Sequence, residues 1–447
     1  MSGIFGAYSA AGKTVLEDIY LGLYALQHRG QESAGIAWHD ADKISSVRGF
    51  GLLHNAVSQK NLSKISANCA IGHVRCVPLE FSRLHNVLPV CANYAKGPVA
   101  VAHDGLVTNL DELRHQLVMR GAIFQSDTNS EAVLHIMAQK SYMQPIDAFA
   151  DALRRIEGSY SFAAILNDSL VAARDPYGFR PLCIGECNGV YYVSSESCGL
   201  DIVGARLIRD VEPGEIVVIG KHGIKSLRVH PERPSTAKHC SFEYVYTARP
   251  DSIIDGVSVY KARKEMGRRL AAASPCCGAD LVTGMPDSGT AAAIGYAQEA
   301  KIPFEMAIVR NRYVGRTFIQ PTQKVRERGV KIKLNPIEHI FEGKKVIIVD
   351  DSIVRGTTAE RITEMMRSCG SSEVHLRIAS PPVVCPCRYG IDTRGASTLA
   401  AVRMTLEELC KKTGADSLKY LSEEELCAAI GLPQERLCTE CFCRKIS

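Results

Sequence analysis

Apolar and polar residues change rhythm partway along the chain. Through about residue 230, short apolar runs are broken by turns. Ala70–Val74, Val99–Ala102, Ser161–Leu166, Tyr191–Ser194 and Glu215–Ile219 read as strands, and Val15–Gln27 and Ser130–Gln139 carry helical spacing. Strands that follow one another, with the helices grouped apart, predict stacked antiparallel sheets covered by helices. The polar stretch His222–Thr236, with two prolines, is the expected linker. Beyond it, helix and buried strand alternate. Val259–Ala273, Thr290–Glu299 and Thr357–Met366 predict helices, while Ala279–Thr283, Lys345–Val349 and Glu373–Ala379 predict strands. That alternation belongs to a parallel sheet with helices on its faces. The tail from about Val402 is expected to be helical and ends in a cysteine cluster.

Composition narrows the function classes. With 46% hydrophobic and 23% charged residues, the 447-residue chain has the balance of a globular protein of two or three domains. A net charge of +5 suits anionic small molecules and does not call for nucleic acid. No run reaches the ~18 apolar residues of a membrane span. The N-terminus has no basic region followed by an apolar core, so a cytoplasmic location is expected. In that setting, 17 cysteines point to buried thiols and to metal or cluster ligands rather than to disulfides.

The segment from Val346 to Thr358 carries the chemistry. Four β-branched residues make a buried strand, and Asp350 and Asp351 stand at its carboxyl end, where open α/β sheets bind ligands. Ser352, Arg355, Gly356, Thr357 and Thr358 then lead into a helix start, whose unpaired N–H groups and dipole suit a phosphate. Adjacent acids can bind ribose hydroxyls or hold Mg²⁺ beside a pyrophosphate. A lone helix cap needs only one acid.

These residues resemble the motif with which type I phosphoribosyltransferases bind 5-phosphoribosyl pyrophosphate (PRPP). In wording they are similar to the amidophosphoribosyltransferase family of de novo purine synthesis. Gly284-Met-Pro-Asp-Ser-Gly289, Phe242–Ser252, Asn311–Pro321, Arg174–Pro181 and Ser195–Cys198 match the same family in order. The resemblance implies an N-terminal Ntn-hydrolase-type αββα sandwich, a glutamine amidotransferase domain over residues 2–230. It implies a type I phosphoribosyltransferase domain with a parallel sheet, including the tail, over 231–447. The implied reaction is displacement of pyrophosphate from PRPP by ammonia, with Ser288, Asp350 and Asp351 at the metal. Lys324–Lys333 would belong to a loop that closes over PRPP and excludes water. A homo-oligomer with purine nucleotides as feedback ligands is also implied.

The resemblance further assigns Cys240, Cys387, Cys438 and Cys441 to a 4Fe–4S cluster. Four thiolates suit zinc equally, and Cys385 and Cys443 are possible substitutes. The glutaminase half departs from the family. Ser2 stands at the nucleophile position, where the family has cysteine. Asp104, before Gly105, replaces the amide donor of the oxyanion segment. Arg75, expected to grip the glutamine carboxylate, persists, but Cys76, Val77 and Pro78 replace its hydroxyl neighbours. Asn129 is read in place of the acid that binds the substrate amine. A carboxylate repels a developing oxyanion, so impaired glutamine hydrolysis is expected, with ammonia as the nitrogen source. The rivals are a catalytically silent PRPP- or nucleotide-binding regulator, and a conventional glutamine-dependent enzyme using Ser2.

Overall fold

The computed structural model describes residues 2–76, 83–231, 236–311, 334–391, 393 and 395–443. The chain divides into two compact units. One comprises Met1–His239, Ser252–Gly256 and Arg388–Ile391; the other comprises Cys240–Asp251, Val257–Cys387 and Asp392–Ser447.

The first unit stacks two antiparallel sheets. One contains β1 (Ser2–Ser9), β2 (Ser33–Asp40), β3 (Lys43–Phe50), β4 (Cys69–Arg75), β9 (Cys183–Cys187), β10 (Val190–Ser194) and β11 (Arg206–Asp210). Its order is β11-β9-β10-β1-β4-β2-β3. The other contains β5 (Val90–Tyr94), β6 (Gly97–Val107), β7 (Gly158–Leu166), β8 (Ser169–Arg174), β12 (Glu215–Gly220) and β13 (Gly223–Arg228), ordered β13-β12-β8-β7-β6-β5.

Strand alternation explains the layers. On β6, Ala100 and Ala102 join Ile4, Ile71 and Ile165 in the apolar layer between the sheets. Val99 and Val101 face the other way, toward helices α2 (Leu110–Met119), α3 (Asn129–Gln139) and α4 (Pro145–Arg155). On β1, Ile4 and Tyr8 point between the sheets. Phe5 and Ala7 meet α1 (Leu16–Ala25) through Ile19 and Leu23. A strand buried on both faces reads as a nearly continuous apolar run. The result is the expected αββα sandwich.

Two expectations change here. Helices α2 and α4 were not read from sequence, although α4 has proline at its start and Ile146, Phe149, Ala150 and Leu153 at helical spacing. The supposed linker contributes Gly223–Arg228 as an edge strand paired along its length with β12. Its polar residues are those of an exposed edge rather than of a tether.

The second unit is built on four parallel strands, β14 (Leu281–Gly284), β15 (Lys345–Asp350), β16 (Glu373–Ile378) and β17 (Ser417–Tyr420), in that spatial order. Helices α5 (Val259–Ala273) and α6 (Thr290–Ala300) pack so closely that a Cβ on Gly267 would lie 1.8 Å from the Ala292 carbonyl. On another side, Ala359, Ile362 and Met366 of α7 (Thr357–Ser368) and Leu409 of α8 (Leu406–Thr413) bury Val346, Ile348, Leu376 and Leu418. A final helix, α9 (Glu423–Ile430), follows β17. The tail expected to be helical therefore also supplies a strand to the sheet.

Candidate active site

In the second unit, β15 ends at Asp350. Asp351 begins the turn, is 6% exposed, and donates its N–H to Asp350 Oδ1 at 2.8 Å. Ser352 Oγ donates to Asp351 Oδ1 at 2.6 Å. Ser288 lies on the neighbouring turn, after β14, and its side chain is hydrogen-bonded to Asp351. Gly289 fits that turn because a Cβ would stand 2.5 Å from the Val349 carbonyl and 3.2 Å from the Asp350 Cα. The expected metal group of Ser288, Asp350 and Asp351 is thus gathered at the carboxyl edge of the sheet.

Withdrawal from water and the neighbouring Asp351 push the Asp350 carboxyl well above its ordinary range. Burial also raises Asp351, against the pull of Ser288, Ser352 and the Arg263 guanidinium. Two acids that resist ionising side by side present the charge pattern that a divalent cation relieves.

The turn then reaches Gly356, whose φ of +83° suits glycine and whose place is tight against Leu409. No side chain caps α7, while Thr357, Thr358 and Arg355 are exposed. The first-turn N–H groups of a 12-residue helix, two hydroxyls and a guanidinium are therefore carried by one short stretch. Ala400 N–H holds the turn in place by donating to the Val354 carbonyl at 2.8 Å. The Lys324–Lys333 run lies outside the described residues.

The cysteines assigned to a cluster are also in this unit. Burial pushes the Cys441 thiol well up, and Cys240, Cys387 and Cys438 push it further. The four sulfurs are therefore near neighbours, although no group of three or more His, Cys, Asp or Glu residues among those described stands ready to hold a metal ion. By donor type, four cysteines suit iron or zinc. Cys385 Sγ donates to the Cys443 carbonyl at 3.0 Å, and Cys443 Sγ to Glu423 at 3.0 Å, which gives these two thiols other partners.

The first unit assembles a second site from separate motifs. Ser2 is buried at the start of β1, opposite Arg75 of β4. Arg29 is fully buried and connects the group. Its Nε donates to the Ser2 carbonyl at 2.8 Å, Nη1 to Glu196 at 2.6 Å, and Nη2 to Asp104 Oδ2 at 3.3 Å. Arg180 Nε lies 3.7 Å from the same Asp104 oxygen. Burial alone would raise Asp104, but Arg180 and Arg29 hold it at about 2. It is therefore a carboxylate at neutral pH, and its Oδ1 is buried without a hydrogen-bond partner among the described residues. Gly105 has a φ of +122°, and a Cβ there would lie 2.2 Å from the Ser159 carbonyl.

Arg75 donates to the Asn86 carbonyl at 2.6 Å. Asn86 in turn exchanges hydrogen bonds with Asp127, at 3.1 Å and 2.8 Å. Asn129, expected in place of the acid that binds the substrate amine, opens helix α3 and is buried. Asp127 is the carboxylate linked to Arg75 through Asn86.

A glutamine amidotransferase domain profile matches residues 86–201, and a phosphoribosyl transferase domain profile matches residues 278–379. An amidophosphoribosyltransferase of Methanocaldococcus jannaschii is 44% identical, over 100% of this chain and 97% of its own. That of Bacillus subtilis is 42% identical, over 99% and 93%. A solved structure of glutamine PRPP amidotransferase from B. subtilis, complexed with ADP and GMP, superposes with a TM-score of 0.92. It covers 99% of this chain and 96% of that one at 42% identity. With relatives this similar along its whole length, the chain belongs to the amidophosphoribosyltransferase family.

Proposed function

We infer that this chain forms 5-phosphoribosylamine and pyrophosphate from PRPP, the amidophosphoribosyltransferase step of de novo purine synthesis, with ammonia as the effective nucleophile. The observation that carries the reading is the pair Asp350 and Asp351, with Ser288, beside the uncapped start of α7. On this reading the amidotransferase-type domain spans residues 2–230 and the transferase domain 231–447, in a cytoplasmic enzyme. No helix among the described residues is long and apolar enough to cross a membrane.

The Thr357 and Thr358 hydroxyls, Arg355 and the first N–H groups of α7 bind the 5-phosphate. Asp350 and Asp351 orient the ribose hydroxyls. Mg²⁺ held by Ser288, Asp350 and Asp351 would neutralise charge on the leaving pyrophosphate. No side chain attacks the substrate; the chain contributes positioning and electrostatics, which suffice for a transfer of this kind. Cys240, Cys387, Cys438 and Cys441 would hold a 4Fe–4S cluster, or zinc, that ties the tail to the second unit. Purine nucleotides are proposed feedback ligands, supported by the ADP and GMP bound to the B. subtilis relative, and a homo-oligomer is the proposed assembly.

Glutamine hydrolysis is proposed to be weak. The nucleophile is a hydroxyl, less ionised than a thiol, and Asp104 brings a negative charge where an oxyanion needs a donor. The Arg75–Asn86–Asp127 arrangement favours a second reading, in which glutamine still binds and Ser2 turns it over slowly. Incubating anaerobically prepared protein with PRPP and Mg²⁺, and with glutamine or ammonium supplied separately, distinguishes the two. Pyrophosphate release with ammonium but little glutamate from glutamine supports the first. Equal rates with both donors would overturn it.

A further inference from the structure

The parallel sheet aligns a third residue with the acid pair. Asp350 is in register with Ile378 of β16, and Ile378 with Tyr420 of β17, so the three form one row across the carboxyl edge. The row is pinned at both steps. Ala379 N–H donates to the Asp350 carbonyl and Leu421 N–H to the Ile378 carbonyl, each at 2.9 Å. Side chains in one register row project from the same face of a sheet. Here that face is the one covered by α7, because Val346, Ile348, Leu376, Ile378 and Leu418 pack with Ala359 and Ile362, and Tyr420 packs against the same cluster. Tyr420 therefore lies on the side of the sheet that carries the phosphate-binding turn.

Its hydroxyl is anomalous. The oxygen is shut off from water and has no hydrogen-bond partner among the described residues. Burial and the nearby Asp350 charge both disfavour its ionisation, so it remains an O–H donor at neutral pH. A buried, unsatisfied hydroxyl costs stability, and phenylalanine would fill the same space without that cost. Neighbouring side chains give the ring its place but give the oxygen nothing to do.

We propose that Tyr420 is a PRPP-contacting residue whose hydroxyl donates to an oxygen of the sugar pyrophosphate held at Asp350. The inference rests on the diacid being the PRPP site. It adds to that site a residue from the last strand of the sheet, far beyond the motif in sequence.

The test is Tyr420→Phe in the full-length protein, followed by thermal unfolding without ligand and calorimetric titration with PRPP and Mg²⁺. The expected result is an unchanged or higher melting temperature, with PRPP affinity lower by about tenfold or more. A rise in KM for PRPP should accompany it. Titration with pyrophosphate and with ribose 5-phosphate separately then identifies the half of the ligand that receives the donor, as the half whose affinity falls. Affinity within twofold of the parent protein, or a lower melting temperature with PRPP binding intact, overturns the inference and assigns the hydroxyl a structural role. Failure of the parent protein itself to bind PRPP removes the diacid reading, and Tyr420 with it. Retained binding by the parent and by Tyr420→Phe alike removes Tyr420 only.

Discussion

Replacing Asp104 with asparagine isolates the charge that sets this chain apart from its family's pattern. The side chain is 2% exposed and shares one oxygen between Arg29 and Arg180. Its carboxyl is held at about 2, against an ordinary value of 3.8. A displacement of that size, at ~1.4 kcal/mol per unit, corresponds to about 2–3 kcal/mol favouring the folded, ionised state. Because the folded-state value is depressed, this contribution is complete at neutral pH, falls to about half near pH 3, and is lost toward pH 2. Asp104→Asn preserves the shape but leaves two buried guanidiniums with one carboxylate fewer. For a unit of this size the loss should lower its melting temperature by ~5–10 °C at pH 7. Scanning calorimetry of parent and variant at pH 7 and pH 3 measures both the gap and its narrowing. An unchanged melting temperature at pH 7 would refute the charge-pair reasoning, as would a gap that widens on acidification.

Asp351→Asn should abolish PRPP-dependent turnover yet stabilise the ligand-free protein by about 1 kcal/mol, since it removes one of two buried acids that repel each other; activity assay and thermal unfolding check the two halves. Both carboxyls titrate above their ordinary range. Ligand-free stability should therefore decline as pH rises above about 4 through the folded-state values, while Mg²⁺ binding tightens over the same rise, which titration calorimetry at several pH values would reveal. The double substitution Ser2→Cys with Asp104→Asn should raise glutamate release by about a hundredfold or more, measured by coupled assay. Cys441→Ser should strip iron or zinc from anaerobically purified protein, by elemental analysis, and increase amide exchange in residues 438–443.

Much of this was legible because apolar rhythm and local motifs are written in neighbouring residues. Val346–Thr358 announces a buried strand, a diacid and a phosphate-binding turn within thirteen positions, and the structure keeps them together. The strand Ser417–Tyr420 was not legible. Four residues with one fully buried position carry no period of their own, and only pairing with β16 makes them a strand. Helix α2 was hidden for a similar reason, since Leu113 and Leu117 are its only fully buried residues. The surroundings of Asp104 depend on Arg29 and Arg180, which lie far apart in the chain. Only folding shows that the two guanidiniums converge on one carboxylate and keep it ionised, while Arg29 also binds Glu196.

Asp350 and Asp351 carry the account, and titrating PRPP in the presence of Mg²⁺ into the parent protein and into the Asp350→Asn, Asp351→Asn double variant addresses them directly. The account predicts saturable heat with the parent and none with the variant, with both proteins equally folded by circular dichroism. Silence from the parent protein, or equal binding by the variant, would contradict it.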